Sequence, residues 1–206
     1  SFCCGGLHPS SKVHLLRRNE NTWCYDIEKL KELVNPKTAL IVVVSPNNPT
    51  GKIISKNNLK AICDIAESYG SYILHDQIYR GLELGQAFST PLAIDFYDKA
   101  ICTNSLSKTI GFEHATRIGW LITRDRKLYQ RALSLTGWFK GGEHGWVEEY
   151  IVNKALEREK YREFCRRGVE YANQAWSLVS NFMEQNKDIF DWVKPDAAFL
   201  SFPKYN

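Results

Sequence analysis

Residues 39 to 44, ALIVVV, are apolar at every position, and the seven that follow, SPNNPTG, are turn formers. A continuous apolar run of this length predicts a strand buried on both faces, as in a parallel sheet; a half-exposed strand would alternate. Ser55 then caps a predicted helix in which Leu59, Ile62, Cys63 and Ala66 recur at i, i+3, i+4 and i+7, and Gly70 suits its left-handed stop. Strand-like runs return at 71–74 (SYIL), 100–103 (AICT) and 118–123 (IGWLIT).

The alternation of strands with helical periodicity predicts an α/β fold, a mostly parallel sheet covered by helices. Its first three strands each run into polar residues. Ligands of open parallel sheets bind outside the carboxyl ends of the strands, so the loops carrying Asn48, Asp76 and Lys108 are expected to open onto one crevice. A helix is expected after Arg124, up to Thr136, ended by the four glycines of GWFKGGEHG, and a longer one from about Trp146 to Gln185, bent at Gly168. FDWV and AAFLSF read as two strands of a smaller α+β unit. The division expected is a large domain over 1–170 and the start of a small C-terminal domain over 171–206.

With 44% hydrophobic and 24% charged residues in 206, the chain has material for a core, which excludes disorder. No apolar run approaches the ~20 residues of a membrane helix, and the start SFCCGGLHPSSK lacks the zones of a signal peptide. The net charge of +4 arises from 27 basic and 23 acidic side chains spread along the chain, which makes no stripe for nucleic acid. Six cysteines at 3, 4, 24, 63, 102 and 165 form no CxxC and no zinc-like spacing, so reduced thiols and a cytoplasmic location are expected, with no metal. The absence of an initial methionine and the ending FPKYN, just after an apolar run, read as cut ends.

Four elements occur in order: SPNNPTG, HDQIY, SLSK and Arg117 in TRIGW. Singly each has a plain explanation: a strand exit, a turn carboxylate, a surface lysine and a surface guanidinium. Their spacing changes that reading. From Asn48 to Asp76 is 28 residues (76 − 48), and from Asp76 to Lys108 is 32 (108 − 76), each enough for one helix-plus-strand crossover. All the polar groups then fall on one sheet edge.

With this order and spacing the sequence resembles the fold-type I pyridoxal-phosphate enzymes, specifically class I/II aminotransferases, over roughly residues 40 to 123. The resemblance implies pyridoxal 5'-phosphate as cofactor, amino acid and 2-oxo acid as substrates, and a homodimer. It assigns Asp76 to the protonated ring nitrogen, Asn48 and Tyr79 to the ring's phenolate oxygen, and Ser105, Ser107 and Arg117 to the phosphate. Lys108 would carry the cofactor as a Schiff base and move the substrate's α-proton, which makes the implied reaction transamination. The same cofactor residues would equally serve a C–S lyase, a decarboxylase or a cyclising synthase, because substrate contacts choose the bond broken. They would also remain in an aminotransferase-like effector domain of a transcription regulator.

The family's segment of the type SKTFGLPGLRIGW is one residue shorter than SKTIGFEHATRIGW here, which alters the aim expected of Arg117 and presents His114 on a loop. The N-terminal amide loop, the ring-stacking aromatic and the C-terminal substrate arginine of the family are not identifiable, so the chain reads as the central part of a longer enzyme. The resemblance further implies a cis Asn48–Pro49 bond. Lys154, Arg158, Lys160, Arg162, Arg166 and Arg167 alternate with glutamates and read as a solvated helix face, and Trp138, Phe139 and Trp146 as packing around the glycine-rich loop.

Overall fold

The computed structural model describes residues 12–110, 118–139 and 146–206. In chain order it forms α1 (Ile27–Leu33), β1 (Leu40–Val44), α2 (Lys56–Tyr69), β2 (Tyr72–Asp76), a 3-10 turn (Ala93–Asp95), β3 (Ala100–Ser105), β4 (Gly119–Thr123), α3 (Arg126–Phe139), α4 (Trp146–Ala155), α5 (Arg158–Gln185), β5 (Phe190–Asp191) and β6 (Lys204–Tyr205). The main sheet has the order β1-β2-β3-β4, with β1, β2 and β3 parallel and β4 antiparallel to β3. β5 and β6 form a separate antiparallel pair.

Local chemistry sets the first crossover. The Ser55 hydroxyl accepts the Asn58 amide at the start of α2, and Gly70, at φ 70°, ends it in the left-handed conformation while its N–H returns to Ala66 and Glu67. The apolar face of α2 lies against Ile41, Val43 and Ile73 of the sheet, together with Leu30 and Val34, Ala93 and Tyr97. Leu59 and Ile62 are fully buried there, and each contributes roughly 1.5–3 kcal/mol by leaving water.

The other sheet face differs from expectation. Leu40 and Val42 are 39% and 40% exposed, so β1 is buried on one face only, because the described helices pack over the side that carries Ile41 and Val43. At the free edge of β1 the Tyr25 hydroxyl donates to the Val44 carbonyl (3.3 Å) and accepts the Val44 amide (3.2 Å), standing in for a neighbouring strand.

Three further expectations change. α3 continues through Gly137 to Phe139 rather than stopping at Thr136. The long helix breaks at Leu156 and Glu157 rather than bending at Gly168, which lies inside an unbroken α5 where a Cβ would come within 2.9 Å of Leu82. That glycine serves close packing. AAFLSF is not a strand: Asp191 pairs with Lys204, while Ala197 forms an isolated bridge to Glu83 and Ala198 is drawn into contact with Tyr79 and Leu82. Tertiary contacts to the large unit thus take the apolar residues that the pattern assigned to a strand.

The basic residues of α4 and α5 are exposed, and Lys154, Lys160, Arg162, Arg166 and Arg167 pair with Glu157, Glu159, Glu163 and Glu170, as a solvated face should. Cys24, Cys63, Cys102 and Cys165 are free thiols; Cys3 and Cys4 lie outside the described residues. The side chains of Trp138, Phe139 and Trp146 also lie outside the description. Among the described residues no helix is long and apolar enough to cross a membrane.

Candidate active site

The register of the three parallel strands aligns one rim. Val44 pairs with Asp76 and Asp76 with Thr103, so the loop after β1, the end of β2 and the end of β3 emerge side by side. Ser105, the last residue of β3, pairs with Gly119, the first of β4, so the antiparallel strand begins at the same rim. Topology alone brings the predicted loops together.

The loop after β1 is built around Asn47, not Asn48. The buried Asn47 accepts from the Thr50 hydroxyl (2.9 Å) through its side chain, and its backbone pairs with Gly51 and Lys52. This closed loop leaves the Asn48 side chain outside, and its amide donates to the Tyr79 hydroxyl at 3.4 Å. Both Ser45–Pro46 and Asn48–Pro49 are cis. The structural role of Asn47 was not read from the sequence, although an Asn opening a turn is a known signal.

Asp76 ends β2 half-buried. One carboxylate oxygen accepts the Ile78 amide at 3.0 Å, and no basic side chain among the described residues pairs with it. Burial pushes its carboxyl above the usual range, opposed by the Ile78 hydrogen bond. Tyr79, three residues on, is buried against Leu82 and Ala198, with only its hydroxyl engaged by Asn48.

Lys108 lies in the turn after β3, half-buried, between two apolar anchors. Leu106 and Ile110 are joined by the Ile110 amide and Leu106 carbonyl (3.2 Å), and both sink into a cluster with Val152 and Ala155 of α4 and Tyr161 and Phe164 of α5. Residues four apart share one face of a helical turn, so Lys108 occupies the other face. The Ser105 hydroxyl donates to the Ser107 hydroxyl at 3.1 Å and accepts the Ser107 amide at 3.3 Å, placing two hydroxyls together at the rim. Arg117 and His114 lie outside the described residues.

A buried carboxylate missed by the sequence reading sits behind this rim. Glu83 is 1% exposed and accepts from the amides of Gly81, Phe88 and Thr90 and from the Thr90 hydroxyl, which fixes the chain just after Tyr79. A cleft of about 670 Å³ lies elsewhere, lined among others by Ile54, Lys56, Arg80, Phe88 and Phe96, and takes in none of Asn48, Asp76, Tyr79, Ser105, Ser107 and Lys108.

A rim that offers a carboxylate with no cation on it among the described residues, two hydrogen-bond donors and a hydroxyl pair suits an aromatic cation bearing an oxyanion and a phosphate. That description fits pyridoxal phosphate, since Asp76 has an oxygen left for a protonated ring nitrogen, and Asn48 and Tyr79 present an amide and a phenol beside it.

Comparison with known proteins agrees with this reading. The chain is 31% identical over 190 residues, 86% of its length, to a probable aspartate aminotransferase of Methanocaldococcus jannaschii, and covers 46% of that relative. To the glutamate-pyruvate aminotransferase AlaA of Escherichia coli K12 it is 29% identical over 216 residues, covering 96% of this chain and 49% of the relative. The fold superposes on a PLP-dependent aminotransferase from Streptococcus suis with a TM-score of 0.83 at 28% identity, covering 94% of this chain and 50% of that one. The chain thus spans about half the length of the relatives it matches. The family model for aminotransferase class I and II matches residues 9–206, and the chain belongs to this pyridoxal-phosphate-dependent family.

Proposed function

We propose that the protein is a pyridoxal-phosphate-dependent aminotransferase that moves an amino group from an amino acid to a 2-oxo acid, with Lys108 as its catalytic amine. The observation that carries this reading is Asp76: a half-buried carboxyl pushed up by burial and met, among the described residues, by the Ile78 amide alone, at the rim that also carries the paired Asn48 and Tyr79. A carboxylate so placed gains by facing a cation. When bound, pyridoxal phosphate supplies an electron sink for the pair left at a substrate's α-carbon.

The chain's own residues act around that group. Asp76 holds a proton at the ring nitrogen. Asn48 and Tyr79 donate to the ring's oxygen, Ser105 and Ser107 give hydroxyls to the phosphate, and Arg117 adds its guanidinium. Nζ of Lys108 takes the proton from the substrate's α-carbon, and the apolar anchors Leu106 and Ile110 hold the lysine's turn still while it does so.

The same proposal includes a large domain to about residue 170 with a small domain beginning within α5, a homodimer and a cytoplasmic location. The relatives' names direct the first substrates to test: aspartate, glutamate and alanine as donors, with their 2-oxo acids as acceptors. Borohydride reduction in the presence of pyridoxal phosphate should leave a stable covalent adduct on the peptide that contains Lys108, and single-turnover assays should release a 2-oxo acid from the donor. An adduct on a different lysine would remove the site assignment. Release of sulfide, carbon dioxide or a cyclic product instead of a 2-oxo acid would replace transamination by elimination, decarboxylation or cyclisation.

A further inference from the structure

The segment Pro195–Leu200 follows the last long helix, yet it is bonded to two loops of the main sheet. Asp196 meets three consecutive residues after the Asn48 loop: its carboxylate accepts Lys52 Nζ at 2.6 Å and the Ile53 amide at 3.2 Å, and its own amide donates to the Gly51 carbonyl at 3.0 Å. The Ala197 amide shares that carbonyl at 2.9 Å. On its other side the Asp196 carbonyl accepts the Leu84 amide (2.8 Å), and the Ala198 amide donates to the Leu82 carbonyl (2.8 Å). Both anchors reach the site through short hydrogen-bonded turns. Gly51 and Lys52 close onto Asn47, next to Asn48, while the Leu82 amide returns to the Tyr79 carbonyl at 3.1 Å.

We infer that Asp196 is a positioning residue for the Asn48–Tyr79 pair, holding the loop after β1 and the turn after β2 at the separation that lets both donors address one oxygen. The contact between Asn48 and Tyr79 is 3.4 Å, at the long end of hydrogen-bond distances, where a small displacement removes it. The clamp leaves little slack. A Cβ on Gly51 would lie 2.4 Å from Pro195 Cβ and 2.6 Å from the Leu200 carbonyl, so loop and segment are in direct contact. Lys52 and Asp196 form the ion pair of this contact, with side chains 21% and 39% exposed. Among the described residues neither side chain bonds to those proposed to meet the cofactor, so their influence passes through the backbone of the loop.

The inference rests on the proposed cofactor reading, and its test separates the two. Donors to the ring oxygen withdraw its negative charge and so weaken its hold on the proton of the neighbouring nitrogen. Loosening them should raise the pH midpoint at which the bound cofactor's yellow form is lost. In the pyridoxal-phosphate-loaded protein, Asp196→Ala and Lys52→Gln should each raise that midpoint by roughly 0.4 to 1 pH unit, the shift carried by one weakened hydrogen bond. The double variant should shift less than the two single shifts added together. Amide exchange at residues 47–53 should accelerate in the same variants, and Asp191→Ala, an exposed change on β5, should alter neither readout. If Asp196→Ala does not fold, Lys52→Gln carries the test from the other side of the pair. Wild-type midpoints with wild-type exchange would overturn the positioning role while leaving the cofactor assignment standing. Failure of the wild-type protein to take up cofactor at Lys108 would instead remove the reading beneath it.

Discussion

His75 and Asp76 are neighbours on β2 with opposite surroundings. His75 is fully buried on the helix-covered face, where its Nδ1 accepts the Ala93 amide at 3.3 Å, while Asp76 lies half-buried on the open face at the rim. The period of two in a strand separates them, so one residue packs into the core and the next reaches the open face of the rim.

Burial pushes His75 down to about 4, from an ordinary value of 6.5. The unfolded chain binds the proton first on acidification. The stability that neutral His75 lends is therefore complete above about pH 6.5 and is lost as pH falls toward 4, amounting to about 3 kcal/mol in all. His75→Asn keeps an acceptor but cannot titrate. Urea unfolding between pH 7 and 4 should show a shallower acid decline for the variant than for the wild type, and equal slopes would contradict the assignment.

Asp76→Asn should retain cofactor but slow exchange of the substrate α-proton by about 10²-fold or more, the scale of losing one electrostatic partner at a reacting centre. Deuterium wash-in at the α-carbon measures this directly. Exchange at the wild-type rate would show that the carboxylate does not face the ring nitrogen.

Tyr79→Phe removes the hydroxyl and leaves the buried ring in place. The protein should stay folded, within about 1 kcal/mol of wild type, while the pH midpoint of the bound cofactor's colour rises. A lower or unchanged midpoint, read by absorbance titration, would place the hydroxyl away from the ring oxygen.

Gly51→Ala combines a positive φ of 67° with contacts of 2.4 Å to Pro195 and 2.6 Å to Leu200. Backbone strain and overpacking together should destabilise by about 2–4 kcal/mol. A thermal unfolding midpoint within a degree of the wild type would mean that the Pro195–Leu200 segment does not lie against this loop.

The rim and the loops it carries were largely legible because they follow strands. A run such as ALIVVV must be a strand, Ser55 and Gly70 bound the helix that returns the chain, and the spacing of Asn48, Asp76 and Lys108 then places their loops on one rim. Less legible were groups whose partners are remote in sequence. Asn47 resembles Asn48 until the loop closes around it, and Glu83 reads as a surface acid until four donors converge on it.

Local periodicity and turn chemistry, which act over a few residues, determined the order of strands and helices and the rim where the polar loops end. Only the tertiary structure decided that one face of β1 is open, that Gly168 allows contact rather than a bend, and that Asp196 reaches back 144 residues to Lys52. Those outcomes depend on which surfaces meet in space, and a pairing across such a separation leaves no periodic trace in the chain.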